Sequence, residues 1–336
     1  MSSIAVVGAG AIGGYLGGWL AASGEDVTFI ARGANLAAIR ANGMRVIGED
    51  GAEVVVKGVA ACEKPADAGP QDVILLTVKA HQVAPIAADL HHLCHENTTI
   101  VTMQNGIPWW YFYKHGGALE GTPVRSADPD GTIAQQVDSA RILGSVVYPA
   151  ANLIAPGVVQ VVEGRRFTLG EPDGSESERA RAISASFAKA GFKAPITNDL
   201  RGEIWLKLWG NLSFNPISAL THATLIDLLT FPLTRELSIQ MMREAEVVAN
   251  KLGITFRVGI DRRIAGAEKV GAHKTSMLQD VEAGKPMEIE ALVGSVVELG
   301  RLTDTPTPHI DAVYACVGLL AKTLADHAGR LVVAPT

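Results

Sequence analysis

Cysteine is nearly missing from this chain: Cys62, Cys94 and Cys316 are all it has, odd in number and widely spaced. Such a set builds no disulfide framework and suits a reducing compartment, so the cytoplasm is the natural setting. Basic runs are missing too. No stretch of five or more Lys and Arg occurs, and the formal net charge of -6 removes any general attraction for nucleic acid or an anionic membrane. One long uncharged run does occur, IAVVGAGAIGGYLGGWLAA at residues 4–22, and its Gly-x-x-x-Gly spacings imitate a membrane helix or a signal peptide. Neither reading fits. No Lys or Arg precedes the run, six of its residues are glycine, and its first four residues have the character of a buried strand.

What the chain does have is length and a hydrophobic content of 48%; its 336 residues exceed what one core usually supports, so two domains are expected. Short apolar runs alternate with amphipathic segments through the first half, the pattern of a parallel sheet covered by helices. Strands are predicted at 4–7, 27–30, 73–77, 99–102, 141–147 and 167–169, with a hairpin at 44–47 and 53–57 and a short strand at 194–197. Beyond residue 199 the patterns are helical: 203–213, 216–221, 232–252, an interrupted stretch at 260–270, 276–283, 287–302 and 308–326. The expected fold class is therefore α/β, with an N-terminal Rossmann-type parallel-sheet domain at residues 1–199 and an all-helical C-terminal domain at 200–330.

Gly8-Ala9-Gly10-Ala11-Ile12-Gly13 follows the first strand and opens a helix. This is the context a dinucleotide-binding turn requires: Gly8 allows the tight turn, Gly10 lets backbone approach a pyrophosphate, and Gly13 lets helix pack on strand. The second strand then ends in Ala31-Arg32-Gly33, where an NAD binder would carry Asp or Glu. Arg32 suits the 2'-phosphate of NADP, although a solvent-facing arginine remains the alternative. Lys79 and Asn105 follow the next two parallel strands and so point toward the cofactor crevice; a surface lysine and an Asn-Gly turn are the plainer alternatives.

In IWLKLWGNLSFNP at residues 204–216, Lys207, Asn211 and Asn215 recur every four residues in an otherwise apolar segment. On a helix they form one narrow polar stripe. Spacing alone leaves open whether the stripe faces water or lines a pocket, and whether Asn215-Pro216 breaks the helix. Ser276 and Gln279 have the spacing of a capping box, and Glu288 opens a helix with an apolar stripe, so each could serve only its helix end.

Taken together, IAVVGAGAIGGYLG, the TVKA at residues 77–80, the QNG at 104–106, IWLKLWGNLSFNPISAL and SMLQDVEAGKPMEIEALVG resemble the ketopantoate reductase (2-dehydropantoate 2-reductase) family, in the family's order and over roughly residues 4–320. The resemblance implies NADPH-dependent reduction of a small branched 2-keto acid. It implies Lys207 as proton donor, with Asn211, Asn215 and Ser276 as substrate contacts. Glu288 would contact the cofactor near the nicotinamide, Arg32 and Lys79 its phosphates, and Ala151 would offer a backbone contact. Asn105 would stand between nicotinamide ribose and substrate. The residue types agree with the chemistry, since hydride arriving at a ketone needs a cationic acid at the oxygen, while a carboxylate and a hydroxyl need directional donors.

Two features depart from the family. Trp109-Trp110-Tyr111-Phe112-Tyr113 follows Asn105 closely in a chain only 5% aromatic, and so could reshape the pocket, act as a lid, lie at a subunit contact, or be a plain core strand. The stretch 221–225 lacks an asparagine that some members use on the substrate. The cluster His91-His92-Leu93-Cys94-His95 fits no standard zinc spacing, so no metal is expected. The remaining rivals are a reductase of another 2-oxo acid or imine, and a non-catalytic NADP-binding sensor. The long apolar helices of the second domain suit a homodimer.

Overall fold

The computed structural model describes residues 2–329. The chain divides into two units: one comprises residues up to Gln104, Trp109–Pro123 and Asp128–Leu200, the other Asn105–Pro108, Val124–Ala127 and residues from Arg201 onward.

The first unit contains strands β1 (Ser3–Val7), β2 (Asp26–Ile30), β3 (Met44–Ile47), β4 (Glu53–Val56), β5 (Ala60–Cys62), β6 (Gln71–Leu76), β7 (Cys94–Thr102), β8 (Ile142–Val147), β9 (Ala150–Ala155), β10 (Val158–Glu163) and β11 (Phe167–Gly170). Seven form one sheet in the order β11-β8-β7-β6-β1-β2-β5, parallel except where β11 returns along β8. Strands covered on both faces read as unbroken apolar runs, and every residue of β8 is buried. The other four make a second sheet, β4-β3-β10-β9.

The helix Ala11–Ala22 lies between these sheets, which explains its glycines. A Cβ added at Gly17 would stand 2.6 Å from the Phe29 ring and 2.9 Å from Val6, both in the large sheet. One added at Gly14 or Gly18 would stand 2.7 Å from Val159 or Val46 of the small sheet. The spacing that imitates a membrane helix is thus a close packing of one helix against two sheets. No helix among the described residues is long and apolar enough to cross a membrane.

The hairpin β3–β4 forms antiparallel as expected. Strands β5, β9 and β10 were not expected. Of these, β10 is held by parallel pairing with β3, a long-range contact that local pattern does not reveal. The strand expected at 194–197 is reduced to isolated bridges, Leu169 to Ile196 and Arg166 to Lys193. The aromatic run is core but not a strand. Trp109, Trp110, Tyr111 and Phe112 lie buried in turns, and Trp110 Nε1 donates to Thr102 Oγ1 at 3.1 Å.

The second unit is helical: Leu200–Thr221, Leu225–Thr230, Pro232–Lys251, Ile260–Glu268, Ser276–Glu282, a π turn at Glu290–Gly294 running into Ser295–Leu302, and Pro308–Asp326. The helix Leu200–Thr221 runs unbroken through Pro216, so the two segments expected at 203–213 and 216–221 are one. Burial of residues 212–219 around the proline offsets the hydrogen bond it removes. Opposite the polar stripe, Trp205 and Trp209 are fully buried; Trp209 stacks on Phe256 at 3.9 Å and donates to the Met242 carbonyl at 2.8 Å.

Because atoms of two strands crowd Gly17, Gly17→Ala should destabilise the protein by about 1–3 kcal/mol in urea unfolding despite the better helix propensity of alanine. Gly10→Ala, whose added methyl meets nothing within 4 Å, is the control, with a change below about 1 kcal/mol.

Candidate active site

Register places the first group of candidate residues. Val7 of β1 lies level with Ile30 of β2 and Leu76 of β6, so Gly8, Arg32 and Lys79 all follow the same edge of the sheet. Gly8 has φ +104°, and a Cβ there would stand 2.7 Å from Val78 Cγ1. A Cβ at Gly13 would stand 2.0 Å from the Gly8 carbonyl oxygen. Those two glycines are demanded by the protein's own packing. Gly10 is different, since a Cβ there meets open space, which fits a position reserved for something that approaches from outside. The helix beginning at Ala11 has no side-chain cap and no acidic residue in its first turn, leaving the amides of Ala11, Ile12 and Gly13 in a positive end field. These features fit a pyrophosphate.

Three side chains that were not singled out as site residues hold this turn and the end of β6 beside it. Thr77 Oγ1 donates to the Val7 and Gly8 carbonyls at 3.0 and 2.7 Å. Asn35 Nδ2 donates to the Ala9 carbonyl at 2.6 Å, while its Oδ1 accepts from Gly157 N at 2.7 Å. Gln104 Nε2 donates to the carbonyls of Leu76 and Val78 at 2.8 and 2.9 Å. Arg32 is exposed and immediately precedes the helix Gly33–Asn42. Lys79 is half-buried, its backbone N–H donating to Gln82 Oε1 at 3.1 Å. Ala151 lies on β9 in the small sheet, opposite Val161, and packs against the core.

The second unit gathers the others. Lys207 Nζ donates to Asn105 Oδ1 at 2.6 Å. Desolvation lowers the Lys207 pKa to about 8, and the Glu288 carboxylate opposes that shift by favouring the charged form. Asn211 follows one turn later, half-buried, and Asn215 is 5% exposed, with its Nδ2 3.4 Å from Ser276 Oγ. The stripe therefore does not simply face water. The plainer alternative for Ser276, a helix cap, does not hold: Thr275 is the cap, its hydroxyl accepting from Leu278 N at 3.3 Å, which leaves Ser276 exposed in the first turn. Glu288 opens the helical segment, its carbonyl accepting from Leu292 N at 3.2 Å just ahead of the π turn Glu290–Gly294.

Chemically, the second unit offers a partly desolvated ammonium held by a neutral acceptor, with a carboxylate nearby and amide and hydroxyl groups beyond. Such a set can protonate an oxygen on which negative charge develops and orient a small polar molecule. Among the described residues no three His, Cys, Asp or Glu side chains cluster so as to hold a metal, and His95 Nε2 lies 3.2 Å from Asp72 Oδ1.

Comparison with known proteins gives the same direction. The family model "Ketopantoate reductase PanE/ApbA" matches residues 4–174, and its companion "Ketopantoate reductase PanE/ApbA C terminal" matches residues 199–321. A 2-dehydropantoate 2-reductase of Mesorhizobium japonicum is 53% identical over 319 residues, covering 95% of this chain and 97% of its own. One from Archaeoglobus fulgidus is 30% identical, covering 89% and 90%. A crystal structure from Ralstonia solanacearum, provisionally assigned as a ketopantoate reductase, superposes with a TM-score of 0.92 at 40% identity, covering 97% of this chain and 99% of that one.

If Glu288 supports the charged lysine, Glu288→Gln should move the Lys207 titration below about 8. NMR of the lysine ammonium against pH checks this, and an unmoved or raised midpoint would refute it.

Proposed function

The chain belongs to the ketopantoate reductase family, and from that membership we propose that it reduces 2-dehydropantoate to pantoate with NADPH, a step of pantothenate biosynthesis. The observation that carries the reading is the bond between Lys207 Nζ and Asn105 Oδ1, at 2.6 Å, on a lysine whose pKa lies near 8. An acid works best when its pKa is close to the working pH, because it is then both charged and willing to give up its proton.

In this reading residues 1–199 bind the dinucleotide and residues 200–330 bind the keto acid. The amides following Gly10 and the side chains of Arg32 and Lys79 hold the phosphates, and Ala151 offers a backbone contact. When bound, the reduced nicotinamide supplies a hydride to the keto carbon. Lys207 donates its proton to the keto oxygen and stabilises the charge developing there. Asn105 keeps the ammonium aimed, and Glu288, beside the nicotinamide in this reading, keeps it charged. Asn211, Asn215 and Ser276 donate to the carboxylate and hydroxyl of the substrate. The buried aromatic run gives no ground for preferring a different acid.

Lys207→Ala should lower kcat by at least about a hundredfold while leaving NADPH binding, followed by fluorescence titration, nearly intact. Since the acid must carry its proton, kcat should hold below about 8 and fall as pH rises through that value. NADPH oxidation across a panel of 2-keto acids decides the substrate: 2-dehydropantoate should win, and another winner, or silence with all, would displace the reading. Arg32→Ala should raise the Kd of NADPH far more than that of NADH, and equal effects would remove Arg32 from the 2'-phosphate.

A further inference from the structure

Beyond Glu288 the second unit makes a π turn, Glu290–Gly294, in place of an α-helical one. Within it the Ser295 N–H donates to the Glu290 carbonyl, five residues back, and not to Ala291, four back. The Ala291 carbonyl is thereby released from its usual partner. It accepts instead from the Ile107 N–H at 3.1 Å and from Ser295 Oγ at 2.7 Å. Gly106 lies flat against the same carbonyl: its φ is +87°, and a Cβ there would stand 2.0 Å from the Ala291 oxygen. The next residue back is Asn105, which accepts from Lys207 at 2.6 Å. On its other side the turn is tied by Tyr314, whose hydroxyl lies 2.9 and 2.8 Å from the two Glu290 carboxylate oxygens. Gly294 leaves the room that this carboxylate occupies, since a Cβ there would be 2.5 Å from Glu290 Oε2.

We propose that the π turn is a positioning device for the acid: the Ala291 carbonyl it releases anchors Ile107, and through Gly106 this holds Asn105 against Lys207. The inference rests on the reading of Lys207 as the proton donor and adds Ile107, Gly106 and Ala291 as positioning residues. An uninterrupted α-helix would aim the Ala291 carbonyl along its axis at Ser295 N–H, and the Ile107 N–H would lose an acceptor directed at it.

The test removes the donor. Ile107→Pro deletes the N–H at a residue already followed by Pro108 and therefore already biased to extended backbone. Ile107→Ala removes the same buried side chain and keeps the N–H. In the full-length enzyme with NADPH and 2-dehydropantoate, Ile107→Pro should lower kcat on the order of tenfold to a hundredfold relative to Ile107→Ala, at similar Tm. Its alkaline limb should move to lower pH, because the charged lysine has lost an aligned acceptor. Asn105→Ala should do the same, and the double variant Asn105→Ala/Ile107→Pro should lose nothing further. A Pro variant with the pH limb of Ile107→Ala and a loss that adds to that of Asn105→Ala would overturn the proposal. NMR titration of the Lys207 ammonium without substrate separates this from the proposed reaction. A downward shift in Ile107→Pro supports the positioning even if the wild type fails to reduce 2-dehydropantoate, and an unmoved midpoint overturns it even if the wild type reduces it well. Gly106→Ala, whose methyl collides with the Ala291 carbonyl, replaces Ile107→Pro in both measurements should the proline variant not fold.

Discussion

The hydrogen bond from Lys207 to Asn105 is the constraint around which the second unit is arranged. An ammonium withdrawn from water must be partnered, and the kind of partner decides what the amine can do. A carboxylate at 2.6 Å would stabilise the charge strongly and hold the proton; the neutral amide oxygen of Asn105 aims the group while allowing burial to bring its pKa down to about 8. The carboxylate that is present, on Glu288, acts as an electrostatic counterweight to desolvation. Charge and direction thus come from different residues. The fold has to bring a loop following β7, the stripe of the Leu200–Thr221 helix and the segment ahead of the π turn to one place.

The first unit solves a different problem, that of keeping backbone amides bare at the start of a buried helix. Its glycines divide by what they would strike. Gly8 and Gly13 would strike the turn itself, and Gly14, Gly17 and Gly18 would strike one sheet or the other. Gly10 strikes nothing. A helix gripped by two sheets cannot drift away from its first turn, and Thr77 and Asn35 fix the carbonyls of that turn from either side. The amides at the helix start are therefore aimed before anything binds, which reduces the ordering cost of binding.

The large sheet, apart from its edge strand β5, and the glycine turn were legible because both are local: a buried strand is a short apolar run, and the turn states its own geometry. The small sheet was half legible. The hairpin β3–β4 has its own turn residues, but β10 depends on β3, far away in the chain. Whether Ser276 only caps its helix was left open by spacing, because Thr275 carries the same capping chemistry one residue earlier and a pattern cannot decide between adjacent hydroxyls. The π turn left no trace in residue type, since Ile289, Leu292 and Val293 fit an apolar helical stripe almost as well with one residue out of phase. The aromatic run was visible, but its burial in the first unit depends on Thr102 and Gly144, which sequence spacing does not connect to it.

Pro216 shows why helix continuity matters to the site. A break after Asn215 would have left a stripe of two residues, Lys207 and Asn211. Because the helix continues, Asn215 lies eight residues beyond Lys207, about 12 Å along the axis at about 1.5 Å per residue. Helical side chains lean toward the N-terminus, so the Asn215 amide reaches back along the stripe. Its contact with Ser276 Oγ at 3.4 Å then closes the end remote from Lys207. The polar wall is longer than a small keto acid. With Asn211 between the two ends the wall is polar along its whole length, so a small molecule held at Lys207 meets an amide at the next turn and need not span to Ser276.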